Sequence, residues 1–146
     1  MKTTWILVAD ASRAKLYAQA GPASAMYMAQ EFEHAASRMK GAQLASDRPG
    51  RILSKGTGHG SLADPTDPKE FEAARFAQEL AQVLDKGRAT NAFQQLVVVA
   101  PAHFSGELNR HLSAHTREKI GATIHKDYTQ LPPTELVAAL SEHVRF

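Results

Sequence analysis

Runs of consecutive apolar residues and stretches of alternating polarity predict five strands. Residues 5–9 and 95–100 are continuous apolar runs rich in strand formers, which is typical of central strands covered on both faces. Residues 14–19 and 26–34 alternate between apolar and polar side chains, and they predict two further strands, the second of them peripheral. Residues 123–128 predict a short fifth strand.

Apolar residues at helical spacing predict three helices. In the first, Asp67 suits the N-cap, Pro68 the first helical position and Glu70 the capping box, and Gly87 closes the helix. Its buried stripe consists of Ala73, Phe76, Ala77, Leu80, Val83 and Leu84. The second helix carries Phe104, Leu108, Leu112 and His115 on one face, and the third opens at 132 and carries Leu136, Leu140 and Val144.

The predicted order of elements is βββ-α-β-α-β-α, which defines an α/β fold. Strand–helix–strand steps are right-handed and parallel, whereas the first three strands run antiparallel through short turns. The simplest result is a five-stranded mixed sheet of order 3-2-1-4-5 with helices on its faces, the ribonuclease-H-like topology. At 146 residues the chain has the usual size of one domain, and we predict a single domain over 1–146 with a flexible connection at 36–66.

The connection at 36–66 concentrates positive charge. Between residues 38 and 55 it holds five Lys or Arg residues and only one acid, Asp47. The basic residues are Arg38, Lys40, Arg48, Arg51 and Lys55. The glycines Gly56, Gly58 and Gly60 follow, and glycine lets backbone N–H groups approach an anion. Together with Arg13 in the turn after the first strand, these residues are the predicted anion- or RNA-binding set.

Two interpretations of the segment from Asp47 to Arg51 stay open. Arginines on a turn stiffened by Pro49 suit phosphate, and an Asp47–Arg salt bridge would instead order the loop. Few large apolar side chains lie in 36–66, so little burial offsets the entropy of fixing this segment. We therefore predict that it is mobile in the free protein and becomes ordered against an anionic partner or a second subunit.

Composition limits the possible functions. The net charge of +2 is too small to indicate a nucleic-acid binder by itself, but residues 1–55 hold eight Lys or Arg against four Asp or Glu. There is no cysteine, which excludes disulfides and thiolate chemistry. No apolar stretch has the length of a signal-peptide core or a membrane span, so we expect a cytoplasmic protein without a membrane partner.

Candidate catalytic and metal-binding residues are few. Asp10 ends the first strand, where ribonuclease-H-like nucleases place a metal-binding carboxylate, but Ala100 and Pro101 stand where a second carboxylate is needed. Capping of the turn from Asp10 to Arg13 is the favoured role of this aspartate. His59 in the glycine-rich stretch is a weak acid–base candidate, since no nucleophile is evident beside it. We predict no cofactor.

Two further pairs of polar residues could bind a metal or form an ion pair. His111 and His115 have a spacing of four that can bind a metal on a helix, but no third ligand is apparent, and solvated or partly buried histidines are favoured. Lys126 and Asp127 follow the predicted fifth strand, and a local ion pair is the favoured interpretation. No metal site is predicted.

Five short segments resemble the bacterial host-attachment protein family. They are VADASRAK at 8–15, SDRPGR at 46–51, FAQEL at 76–80, VAP at 99–101 and KDYT at 126–129. That family is named for a requirement in attachment to host cells, and it is similar to the middle domain of archaeal and eukaryotic peptide release factors. In those factors a Gly-Gly-Gln loop before the long helix enters the peptidyl-transferase centre. This chain has a glycine-rich stretch there without Gly-Gly-Gln, so the resemblance does not imply hydrolysis of peptidyl-tRNA.

The resemblance and the basic loop together favour a non-catalytic module that binds RNA or the ribosome. The alternative is a hydrolase of phosphate or acyl esters, with a site near Asp10, Arg13 and the glycine-rich stretch. A role at the cell surface is a third possibility, against which the missing export signal argues. Self-association into a homo-oligomer is a further open expectation.

Overall fold

A mixed five-stranded sheet forms the centre of the protein in the computed structural model, which describes residues 2–21, 24–34 and 68–143. The strands are β1 (Thr4–Ala9), β2 (Arg13–Gln19), β3 (Tyr27–Glu33), β4 (Gln95–Val99) and β5 (Ile120–Ile124). The spatial order is β3-β2-β1-β4-β5. β1 pairs antiparallel with β2 and parallel with β4, β2 pairs antiparallel with β3, and β4 pairs parallel with β5. The α/β class and the predicted order 3-2-1-4-5 are confirmed.

Helices cover both faces of this sheet. They are α1 (Pro68–Ala89), α2 (Ala102–His111), the short α3 (Ala114–Arg117) and α4 (Pro133–Ser141). We call the face covered by α1 and α2 the front face and the face covered by α4 the back face. The front core includes Leu7, Leu16, Phe76, Leu80, Val98, Phe104 and Leu108. The back core consists of Ile6, Val8, Tyr17, Val97, Val99, Ile124, Leu136 and Leu140.

The composition of the two central strands, β1 and β4, explains why they lie in the middle of the sheet. Successive side chains of a strand point to opposite faces, so the apolar runs of β1 and β4 supply both cores at once. Leu7 and Val98 enter the front core, and their neighbours Ile6 and Val97 enter the back core. Strands of this kind have to lie in the middle of the sheet, where both faces are covered.

The end of α1 differs from the prediction. Gly87 does not close the helix, which continues to Ala89, and the left-handed residue is Asn91 with φ of 64°. The N–H of Ala92 donates to the carbonyl of Gly87 at 2.8 Å and that of Asn91 to Arg88 at 3.0 Å, the two bonds of a Schellman motif. Position 87 is occupied by glycine because of close packing, since a Cβ there would lie 2.5 Å from Cη2 of Trp5.

The second helix is shorter than predicted. It ends at His111, and Leu112 is extended, with φ of −76° and ψ of 143°. Ser113 then caps α3 by accepting from the N–H of Thr116. His115 therefore does not continue the apolar stripe and is exposed, and it shares no helix with His111, so the predicted helical spacing of these two histidines is wrong.

Two strands differ from the prediction in position or register. β5 covers Ile120–Ile124 rather than 123–128, because the chain turns at Asp127, whose carboxylate accepts from the N–H of Thr129. A register shift interrupts the pairing of β2 with β3, so that Met28 lies opposite Tyr17 on the back face while Phe32 packs against the front core. The strict alternation predicted for 26–34 is wrong at this bulge.

Several predictions concern residues outside the described ranges. They include Asp67 as N-cap, Val144 in the last helix and the mobility of the connection at 36–66. Among the described residues, no helix combines the length and apolar character needed to cross a membrane.

Candidate functional site

Charged and polar side chains gather where β1, β4 and β5 end. We call this edge of the sheet the carboxyl edge. Ligands of α/β proteins commonly bind at the carboxyl ends of parallel strands, so the carboxyl edge is the candidate binding site. The turn between β1 and β2, the end of β3 and the first residues of α1 and α2 also lie here. Nε2 of His103 in α2 is 3.8 Å from Oε1 of Glu70 in α1, so the two helix starts lie beside each other.

Asp10 caps the turn that joins β1 to β2. Its Oδ1 accepts hydrogen bonds from the N–H of Ser12 at 2.8 Å and of Arg13 at 2.9 Å, and from the Ser12 hydroxyl at 3.2 Å. Its own N–H donates to the carbonyl of Arg13 at 2.9 Å. The prediction that this aspartate caps the turn is confirmed.

The second oxygen of Asp10 faces the chain that follows β5. Oγ1 of Thr129, a buried residue, lies 3.3 Å from Asp10 Oδ2 and 2.6 Å from Asp127 Oδ1. A hydroxyl has one proton to donate, and the shorter distance assigns it to Asp127. Asp127 is thus bound to Thr129, and the local ion pair predicted between Lys126 and Asp127 is not formed among the described residues.

Arg13 begins β2 beside this turn. It lies directly opposite Glu33 in the β2–β3 pairing, one residue before Ala14 of the front core, so its side chain is on the back face. Its Nε is buried and has no hydrogen-bond partner within the described part of the chain. A buried guanidinium N–H without a partner is uncommon in folded proteins and sets Arg13 apart at this edge of the sheet.

His34 and Glu72 tie the end of β3 to the first turns of α1. Nε2 of His34 is 2.8 Å from Oε1 of Glu72, which is 2% exposed, and the imidazole stacks on Phe76 with ring centroids 5.4 Å apart. The backbone N–H of His34 also donates to the backbone carbonyl of Ser12 at 2.8 Å. These contacts hold the end of β3 and the first turns of α1, which flank residues 35–67 in the sequence, beside each other at the carboxyl edge.

The structure brings together only part of the predicted site. Asp10 and Arg13 are neighbours at the carboxyl edge, and the remaining predicted residues lie outside the described ranges. These are His59, Arg38, Lys40, Arg48, Arg51, Lys55, Gly56, Gly58 and Gly60. Within 2–21, 24–34 and 68–143, no group of three or more His, Asp or Glu side chains could hold a metal ion.

The pair of His34 and Glu72 was not predicted from the sequence. A signal existed, because Glu72 stands four residues before Phe76 and therefore on the buried side of α1. A glutamate on an apolar stripe needs a polar partner, but sequence spacing alone did not indicate a histidine 38 positions earlier.

The mixed sheet of order 3-2-1-4-5 with helices on both faces places the chain in a class of α/β domains that has a counterpart among solved structures. The crystal structure of the archaeal translation termination factor aRF1 superimposes with a TM-score of 0.55 and 10% sequence identity. The match covers 97% of this chain and 35% of that factor, so the chain spans about a third of its length. At this identity the likeness concerns the fold alone.

The family of the chain is shown by its sequence. The family model described as "protein required for attachment to host cells" matches residues 5–140, and the chain belongs to this family. The resemblance stated from the five short segments is confirmed. No curated protein sequence matches the chain.

Proposed function

We propose that the protein is a non-catalytic binding module that engages RNA or the ribosome through the basic segment of residues 38–55. The observation that carries the proposal is the contact between His34 and Glu72, which we call the clamp. It holds the end of β3 and the start of α1, which flank the 35–67 segment in the sequence, at one edge of the sheet. Binding loops of proteins commonly have both flanks fixed on a rigid scaffold.

The positive charge of the basic segment in the sequence supports an anionic partner. The basic segment carries Arg38, Lys40, Arg48, Arg51 and Lys55. Arg13 lies at the end of the turn in which the carbonyl of Ser12 accepts from the backbone N–H of His34. The buried Nε of Arg13 has no hydrogen-bond partner among the described residues. Guanidinium groups bind phosphate oxygens in bidentate geometry, and phosphate contacts supply most of the sequence-independent affinity for nucleic acids.

The hydrogen bonds of Asp10 favour binding over catalysis. Its Oδ1 accepts the backbone N–H groups of Ser12 and Arg13, which gives this carboxylate a structural role in the turn. The fold likeness to the archaeal termination factor supports the choice of RNA or the ribosome as partner. The sequence of this chain contains no Gly-Gly-Gln, so the proposal does not include peptide release. The proposal places the protein in the cytoplasm, which cell fractionation would test.

Binding to purified ribosomes and to a single-stranded RNA would test the proposal. We expect the affinity to fall steeply between about 50 and 200 mM salt, because each phosphate that the protein neutralises releases counterions. Replacing Arg48 and Arg51 together by Gln should weaken binding and reduce the slope of log K against log salt by about 0.7 for each phosphate that is no longer neutralised.

The control removes the same charge from the opposite end of the molecule. Lys86 in the last turn of α1 and Lys119 before β5 are both exposed and lie at the amino edge of the sheet. Replacing these two lysines by Gln should leave the affinity and the salt slope nearly unchanged. Equal reductions of affinity in the two double variants, or full binding by the Arg48 and Arg51 variant, would contradict the proposal.

A further inference from the structure

A pocket opens on the back face, away from the carboxyl-edge site. It has a volume of about 430 Å³ and lies between α4 and the chain that joins β2 to β3. Its lining includes Gln19, Ser24, Met26, Pro133, Val137 and Ser141. Pockets that bind small organic molecules have volumes of about 300–1,000 Å³, so the size suits a ligand of one or two rings.

The lining is uncharged. All eight described residues around the pocket are neutral, and most of the surface they present is apolar, although 22% of the residues in the chain are charged. Met26 packs against the back core, and Val137 leaves 42% of its surface exposed toward solvent. An ionic ligand would lose its hydration here without gaining a counter-charge, and a neutral apolar ligand would gain burial.

One polar side chain gives the pocket a hydrogen-bonding preference. Gln19 is 8% exposed, and its Nε2 donates to the carbonyl of Ser24 at 2.8 Å. This bond fixes the amide orientation, since the opposite orientation would place two oxygens against each other. Oε1 is then held as an acceptor that receives no hydrogen bond from the described residues.

We propose that this pocket is a binding site for a small, uncharged, mostly apolar molecule that carries a hydrogen-bond donor. The apolar wall from Met26, Pro133 and Val137 binds the body of the ligand, and Gln19 Oε1 accepts its N–H or O–H. The combination of an apolar pocket and one oriented polar group is the usual design of such sites.

Indole and benzothiophene form a matched pair of probes, because they have nearly the same shape and only indole has an N–H donor. Titration of the isotope-labelled full chain, followed by amide chemical shifts, should give saturable shifts around Met26, Val137 and Ser141. We expect indole to bind about two- to tenfold more tightly than benzothiophene, as one hydrogen bond to Gln19 would provide.

Two variants separate the parts of the proposal. Val137→Glu places a charge in the pocket and should abolish binding of both probes, whereas Ala138→Glu introduces the same charge at the next, exposed position of α4 outside the lining and should leave binding intact. Gln19→Leu should remove the preference for indole while benzothiophene still binds. Circular dichroism of each variant checks that the fold is retained.

The proposal is overturned if neither probe gives saturable shifts, if Val137→Glu binds indole as the parent does, or if benzothiophene binds as tightly as indole. Sedimentation adds one further outcome. A dimer that Val137→Glu dissociates would mean that a second copy of the chain covers the pocket, and this would overturn the small-ligand assignment.

Discussion

At the scale of single residues, two glycines in helices should respond in opposite directions to the same substitution. Gly87→Ala places a Cβ 2.5 Å from Cη2 and 2.6 Å from Cζ3 of Trp5, so the ring has to move, and we expect the unfolding free energy to fall by about 1–3 kcal/mol. Gly106→Ala in α2 meets nothing within 4 Å and should gain about 0.5–1 kcal/mol from reduced backbone entropy.

Urea unfolding of the two glycine variants provides the measurement, and Trp5 fluorescence reports directly on the packing around Gly87. A destabilised Gly106→Ala variant, or a neutral Gly87→Ala variant with unchanged fluorescence, would contradict this explanation by close packing.

Tyr17 should make the unfolding free energy depend on pH in the alkaline range. Burial, and in second place the charge of Glu31, raise the pKa of Tyr17 above its ordinary value of 10.0. The unfolded chain then loses this proton first, so the stabilisation is complete below about pH 10 and falls as the pH rises further. Tyr17→Phe should lose less unfolding free energy than the parent protein between about pH 9 and 11.

Denaturant titrations across that range would measure the effect. The unfolding free energy of Glu31→Gln should fall with pH less steeply than that of the parent and more steeply than that of Tyr17→Phe. Glu31 is only the smaller cause of the raised pKa of Tyr17, and burial remains. Identical pH profiles for the parent and Tyr17→Phe would show that the phenol does not contribute.

At the scale of elements, the clamp between β3 and α1 should control how firmly both are held at the carboxyl edge. His34→Ala removes the 2.8 Å contact with the buried Glu72 carboxylate and the stacking on Phe76, and we expect it to cost about 1–3 kcal/mol. Hydrogen exchange should speed up at the end of β3 and in the first turns of α1.

Glu79 provides the matched control for this clamp. Its Oε1 lies 3.8 Å from Nδ1 of the same histidine, and its side chain is 57% exposed. Glu79→Gln should therefore change the unfolding free energy by no more than about 0.5 kcal/mol. Faster exchange confined to regions distant from β3 and α1 in His34→Ala would exclude the clamp as the cause.

At the scale of the whole molecule, one sheet supplies both cores, so the described parts should unfold together. Leu140→Ala in the back core should cost about 2–5 kcal/mol. Trp5, which stacks with Phe93 and packs against the front core, should report the same shift in midpoint as far-UV circular dichroism. Two separate transitions would argue against the predicted single domain.

Local patterns were sufficient to predict most of the fold. The continuous apolar runs of β1 and β4 identified the central strands, because only a strand covered on both faces is apolar at every position. Chain order and the right-handed crossover rule then left the arrangement 3-2-1-4-5 as the simplest sheet. The errors occurred at element ends, at Gly87, at His115 and in the bounds of β5, and at the bulge between β2 and β3. Packing and capping decide the structure at these places, and periodicity carries little information there.

The candidate site could be predicted only where its contacts are local. Asp10 was correctly interpreted as a turn cap because its partners Ser12 and Arg13 follow within three residues. The approach of Thr129 to the same carboxylate spans 119 residues and was not foreseeable from spacing. Oγ1 of Thr129 lies close to this carboxylate only because the turn after β1 and the turn after β5 meet at one edge of the sheet.

The sequence by itself determined the strands and helices, their order and the charge of the basic segment, since these follow from the residue types at neighbouring positions. Tertiary structure alone decided which polar groups became partners. Packing joined His34 to Glu72 and placed Gln19 and Val137 in the lining of one pocket. The physical reason is that burial, and with it the need for a particular hydrogen-bond partner, arises only when distant segments exclude water from each other.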